Sequence, residues 1–201
     1  MEARTRNPRG QGDRLRVALI EAAGELLAEV GDVSRLSVRL VTGRAGVSAN
    51  ALYLHFADMD ELAVAVKQRG FDELRQALGA AEAAHEGDAT GQFRACCHAY
   101  VRFALDHPAR YRVLFATHYP GGRAPSREAP GETGEAGTSA FNDLVRGVTR
   151  CLPDGRDPFG AAIHIWVALH GFASLQPVMA KFPFPGLDEF VAGLEAAHLR
   201  A

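Results

Sequence analysis

Four polar side chains of different chemistry stand close together in "VSANALYLHF", residues 47–56: the hydroxyl of Ser48, the amide of Asn50, the phenol of Tyr53 and the imidazole of His55. No Asp, Glu, Lys or Arg falls among them. Neutral donors and acceptors on a background of alanine suit close approach to another surface better than proton transfer. A second concentration is Cys96, Cys97 and His98. Consecutive positions put these side chains on different sides of a helix, so one metal ion cannot easily take all three. Trp166 and His170 lie four apart and share a helix face with Ile163. G-x-S-x-G, the P-loop, G-x-G-x-x-G and H-E-x-x-H are all absent. No catalytic residue, metal site or cofactor is expected.

The bulk composition frames these groups. The chain has 201 residues, 47% hydrophobic and 23% charged, enough to bury a core. No run is read as reaching the roughly 18 uncharged apolar residues that span a bilayer. The arginine-bearing "MEARTRNPRGQGDR" lacks the apolar region of a secretory signal. A cytoplasmic protein with no membrane partner is the expectation. The three cysteines, Cys96, Cys97 and Cys151, are read as reduced, mostly buried small hydrophobes. Net charge is −2, but residues 1–56 hold eight arginines against six carboxylates. Arg4, Arg6, Arg9, Arg14 and Arg16 face only Glu2 and Asp13. A basic end on an acidic body points to a polyanion at that end.

Helical periodicity runs through the whole chain, and no stretch alternates as a strand. Leu15, Leu19, Ala22, Leu26 and Val30 form the stripe of a first helix over 13–30, stopped at Gly31. Ser37 is placed to cap "VRLVTGRA", which ends at Gly46. Ser48 then caps "ANALYL", and Asp58 with Glu61 has capping-box spacing before a long helix over 58–84. Further helices are expected in "GQFRACCHAYVRFALDH", in "ARYRVLFATH" after Pro108, near 140–152, over 158–175, and in "EFVAGLEAAHLRA" capped by Asp188. Residues 119–139, dense in Gly, Pro, Ser and Glu, read as a loop.

One long, two very short and one long helix is an arrangement with a purpose. Gly46 turns the backbone through positive φ and Ser48 restarts the helix at once. Val47 and Leu52 can face Leu19 and Leu26, which leaves Ala49, Asn50 and Tyr53 outside. A short helix with small outer residues follows helix-turn-helix logic, in which the second helix lies in a DNA major groove.

Residues 15–62 resemble the DNA-binding domain of the TetR family of bacterial transcription regulators. The resemblance rests on the amphipathic first helix ending at Gly31, on "AGVSANALYLHF", and on Leu62. "HPARYRVLFA" and "WVALHGFASL", with Trp166, His170 and Gly171, resemble a subgroup with a WHG-type C-terminal ligand domain. The resemblance implies an all-α protein of three parts. These are a flexible basic arm over 1–12, a helix-turn-helix domain over 13–57, and a ligand-binding and dimerisation bundle over 58–201. It implies that Ser48, Ala49, Asn50 and Ala51 lie near bases, where Asn50 can pair bidentately with adenine. Tyr53, His55 and Ser37 match phosphate-contacting positions, while Leu52 and Phe56 match core positions. The implied partners are double-stranded operator DNA, a second copy of the chain, and a small apolar or aromatic effector.

The chain also departs from the family pattern. Met59 stands where the family usually has a lysine that meets a phosphate, and Leu54 where a polar residue often touches the backbone. Arg39, Arg44 and the arm are expected to supply the missing phosphate contacts. For the effector, Phe93, Phe103, Tyr111, Phe115 and Trp166 offer apolar surface, with His98, Tyr100 and His170 as polar points. The expected function is a ligand-responsive DNA-binding regulator, a repressor released from a palindromic operator by its effector. Two alternatives share the same residues: an activator, and a helical ligand-binding protein that has lost operator binding.

Overall fold

The computed structural model describes residues 11–31, 35–115 and 134–200. Most of the expected arm, and residues 119–133 of the expected loop, lie outside the described residues. Among those described, every regular element is helical. They fall into two units. One is built from residues up to Gly70 together with those from Arg112; the other holds Phe71–Tyr111 and the residues from Gly134 on.

In the first unit, α1 (Gln11–Val30) buries Leu19, Ala22 and Leu26 of the expected stripe together with Ala23 and Leu27, while Leu15 and Val30 are half-buried. It ends at Gly31, whose φ of 70° is left-handed and whose N–H reaches Leu27 O at 2.9 Å. α2 (Val38–Ala45) starts under Ser37, whose hydroxyl accepts from Leu40 N at 3.3 Å. Gly46, φ 68°, turns the chain while Val47 N–H closes onto Thr42 O at 2.9 Å. α3 (Ala49–Tyr53) begins at once, with Ser48 Oγ accepting from Ala51 N at 3.3 Å. Leu52 and Phe56 join Leu19, Leu26, Val41 and Leu62 in one core cluster, and Val47 and Met59 pack on its edge. α4 (Met59–Ala83) opens with Asp58 accepting from Glu61 N at 2.8 Å. Glu61 answers onto Ala57 N at 2.6 Å, one residue earlier than the usual box.

In the second unit, α5 (Ala89–Asp106) is capped by Asp88, which accepts from Gly91 N at 3.0 Å. α6 (Pro108–Phe115), whose residues up to Tyr111 belong to this unit, has its proline at the first helical position, where no N–H is missed. α8 (Pro158–Leu175) is capped twice by Asp157, onto Phe159 N and Gly160 N. It packs on α5, on α7 (Gly134–Thr149) and on α9 (Leu187–His198). Ala162, Ile165, Leu169, Phe172 and Ala173 are its buried side.

Four expectations need correction. α7 begins at Gly134, inside the stretch read as a loop, and ends at Thr149 rather than near 152. Packing overrides its loop-like composition: the Gly137 backbone lies against the Phe71 ring, with 3.4 Å from ring to the place a Cβ would take. α9 is capped by Gly186, and Asp188 lies in the first turn, where a carboxylate favours the positive helix end. Pro158–Leu175 contains no Asp, Glu, Lys or Arg and has mean hydropathy 1.3, so by length and composition it could cross a bilayer. Its glycines and histidines disguise that average when the sequence is read residue by residue.

Candidate nucleic-acid interface and effector cluster

α3 presents the residues singled out in the sequence. Ala49 and Asn50 are exposed, Tyr53 is 55% exposed, and Ala51 is half-buried. Ser48 is exposed but engaged as the cap. His55 is half-buried, its N–H bonded to Leu52 O at 2.9 Å. The anchor for this face is Leu52, fully buried beneath it, with Phe56 below the turn that follows. Leu54, the residue after α3, is 81% exposed. Its N–H bonds Asn50 O at 3.2 Å, so it stands one turn beyond the amide. On α2, Ser37 and Arg39 are exposed, and so is much of Leu40.

Arg44 has a different environment from that of Arg39. Its guanidinium donates to Glu25 at 3.2 Å and to Glu29 at 2.9 Å, both on α1. The hydrogen bond to Arg44 holds the Glu29 carboxyl below its ordinary range, and the two carboxylates raise the guanidinium. Glu25 and Glu29 are one helical turn apart, a signal present in the sequence. Only the crossing of α1 and α2 reveals which arginine they meet. Arg16 lies over the Phe56 ring, 5.1 Å from its centroid, an arrangement that steadies the cation on α1.

The polar centre of the second unit joins α5, α6 and α8. Tyr100 and Tyr111 hydroxyls are 2.8 Å apart, and Tyr111 Oη is 2.7 Å from His170 Nδ1. The Trp166 indole bonds Tyr100, and Ser174 bonds Tyr111. An indole N–H can only donate. Either hydroxyl can donate across the Tyr100–Tyr111 pair, and His170 Nδ1 lies within reach of both, 3.4 Å from Tyr100 Oη. Burial lowers the His170 pKa and pushes Tyr100 up to about 12. Tyr111 is raised as well, by burial first and by Tyr100 second. The cluster is thus uncharged at neutral pH. The Trp166 ring lies 6.0 Å from His170, and Phe141 meets it edge-on at 6.0 Å.

Of the residues expected around an effector, the structure gathers Tyr100, Tyr111, Trp166 and His170. Phe93 and Phe103 are buried on α5, the latter edge-on to His107 at 5.4 Å. His98 is not part of the gathering. Its Nε2 meets Asp188 of α9 at 3.3 Å. Positions 98 and 100 lie about 200° apart around a helix, so one faces α9 while the other faces α8. Phe115 is half-buried and falls in the first unit. Phe141 and Ser174 were not singled out, and nothing in their local sequence marks them. The three cysteines are free thiols; burial raises Cys96 to about 11 and Cys97 further.

Comparison with known proteins matches both halves of the chain. Residues 19–66 match the family described as "Bacterial regulatory proteins, tetR family", and residues 93–192 match "Tetracyclin repressor-like, C-terminal domain". An uncharacterized HTH-type transcriptional regulator of Mycobacterium tuberculosis is 29% identical over 162 residues, covering 80% of this chain and 69% of that protein. A solved protein of unknown function from a Rhodococcus species is 29% identical, covers 99% of this chain and 98% of its own, and has a TM-score of 0.73. The SmeT–triclosan complex shares the fold at 20% identity, with a TM-score of 0.65 over 93% of this chain and 92% of that one. With both its DNA-binding and C-terminal portions matched, and with the helix-turn-helix geometry described above, the chain belongs to the TetR family of transcriptional regulators.

Proposed function

We propose that the chain is a homodimeric, ligand-responsive repressor that holds a palindromic operator and releases it when a small apolar effector binds. The observation that carries this reading is the outer face of α3. Small and neutral side chains are exposed there, above a fully buried Leu52. Two such helices related by a dyad would enter successive major grooves about 34–36 Å apart. Ser37, Arg39, Tyr53 and His55 would fix the backbone, as would Arg44 if it left its carboxylates. Ser48, Ala49, Asn50 and Ala51 would lie at the bases. In functional terms the division is an arm over 1–12, a reading head over 13–57 and a body over 58–201.

For the effector, the uncharged cluster of Tyr100, Tyr111, Trp166 and His170 favours a neutral, apolar or aromatic molecule. The complex of a fold neighbour with triclosan supports a small organic ligand. Such a ligand can act only through a difference in its affinity for two arrangements of the dimer. A coupling of about 1–3 kcal/mol changes operator affinity roughly 5- to 150-fold. α8 and α9 would form the dimer interface, because α8 leaves Phe159, Val167 and Leu175 exposed on its outer side. The setting is cytoplasmic and the role is binding, with no chemistry performed.

A mobility-shift assay with DNA from upstream of the gene, repeated across salt concentrations, tests the reading. Sequence-specific binding that weakens steeply with salt is expected. Indifference to sequence would return the chain to the class of ligand-binding proteins without an operator. A reporter behind the same DNA gives the sign. Output should rise when the protein is absent, and a fall would make it an activator.

A further inference from the structure

The described face of α3 narrows what its operator can be. We infer that the recognition helix reads A·T pairs, with Asn50 on an adenine edge and Leu54 and Ala49 against thymine methyl groups. This rests on the operator-binding reading above and adds to it the base class of the half-site.

Three observations support it. First, guanine is read in the major groove chiefly by arginine or lysine paired with its O6 and N7, and residues 45–66 contain neither. Second, Arg44, the guanidinium nearest in sequence to α3, already satisfies Glu25 and Glu29. Arg39 stands in the first turn of α2, the helix that crosses the backbone in this motif. Third, the exposed side chains pair by chemistry. Asn50 offers the donor and acceptor that match adenine N7 and N6. Leu54, one turn further on the same side, is 81% exposed. Ala49 adds a methyl beside the amide. Thymine alone among the bases presents a methyl group in the major groove. With Ser48 engaged as the cap and Tyr53 assigned to the backbone, the remaining face of one amide and two apolar side chains complements adjacent A·T pairs.

The experiment selects bound duplexes from a randomised pool with the full-length dimer, then alters the selected site atom by atom. A·T pairs should be enriched at dyad-related positions in each half-site. Replacing thymine by uracil there removes only the methyl, and should weaken binding about fourfold for each methyl lost. Replacing A·T by inosine·cytosine gives the major-groove edge of G·C and keeps the minor-groove edge of A·T. Binding should fall roughly 5- to 150-fold at the adenine read by Asn50, and Asn50→Ala should abolish that discrimination while leaving the melting temperature unchanged. Enriched G·C pairs at the dyad-related positions would overturn the inference. Full tolerance of inosine and uracil would also overturn it, because any A·T preference would then come from minor-groove contacts. If the pool shows no sequence selection at all, the operator reading itself fails, and this inference fails with it.

Discussion

Met59 sits at the edge of the first unit's core, half-buried and packed, like Leu15 and Val47, against its buried side chains. A lysine there could lay its methylene stem over the same surface and keep its ammonium in water. Met59→Lys is expected to cost no more than about 1 kcal/mol in unfolding experiments. It should tighten operator binding at low salt and steepen the logarithmic salt dependence by about 0.9, the signature of one added phosphate contact. An unchanged slope in an anisotropy titration would mean that the position does not face the backbone. His170 gives a second expectation at this scale. Burial lowers its pKa from the ordinary 6.5, so the unfolded chain binds the proton more readily than the folded one. The stability owed to the neutral ring is therefore complete above about pH 6.5 and is lost as pH falls toward the folded value. His198 is lowered in the same sense, by burial first and then by His164 and Arg156, and adds to the slope. His170→Gln keeps a hydrogen-bonding partner for Tyr111 and removes the titration. Its melting temperature should fall less between about pH 7.5 and 5.5 than that of the unaltered protein. Equal slopes would take His170 out of the account.

At the level of elements, the pairing of α1 with α2 through Glu25, Glu29 and Arg44 sets a competition. On the proposed reading the guanidinium would leave its two carboxylates to serve a DNA phosphate, and the carboxylates would repel that phosphate. Glu25→Gln with Glu29→Gln should raise operator affinity for both reasons. Repeating the change in an Arg44→Ala background separates them, since only the repulsion remains. A gain that is the same in both backgrounds would show that Arg44 never reaches the DNA. This competition could not be read along the chain, whereas much else could. Ser37 and Ser48 lie next to the helices they cap, and a cap is a local signal, so α2 and the start of α3 were legible to the residue. α7 was not, because Gly134, Gly137 and their neighbours look like a loop until Phe71 packs against them. The same contrast divides the sites. The α3 face is a single contiguous motif and was read directly. The second-unit cluster depends on which side of α5 meets α8 and which meets α9, and that is where His98 was misplaced. Burial along a helix repeats by angle, but the partner on each side is chosen by tertiary packing alone.

For the whole molecule, the decisive question is what covers α8. Its 18 residues carry no formal charge, yet Phe159 is 56% exposed and Val167 58%. A helix without charges needs neighbours on most sides, and α5, α7 and α9 supply only some of them. Beyond its end, Val178, Met179 and Phe182 extend the exposed apolar surface. If a second copy covers this face, a charge placed at its middle should split the pair. The protomer itself should hardly notice, because surface substitutions usually change stability by about 0.5 kcal/mol or less. Val167→Glu is therefore expected to sediment as a monomer at concentrations where the unaltered chain is a dimer, with nearly the same melting temperature when each is measured dilute. The effect on DNA should exceed the effect on any single contact. In a dimer, one seated recognition helix holds the other near its half-site, an advantage on the order of 10²- to 10⁴-fold over independent binding. The monomeric variant should lose that factor on a full palindrome and almost nothing on an isolated half-site. A variant that stays dimeric, or one that loses half-site binding equally, would place the partner surface elsewhere and leave the exposed side of α8 to some other occupant.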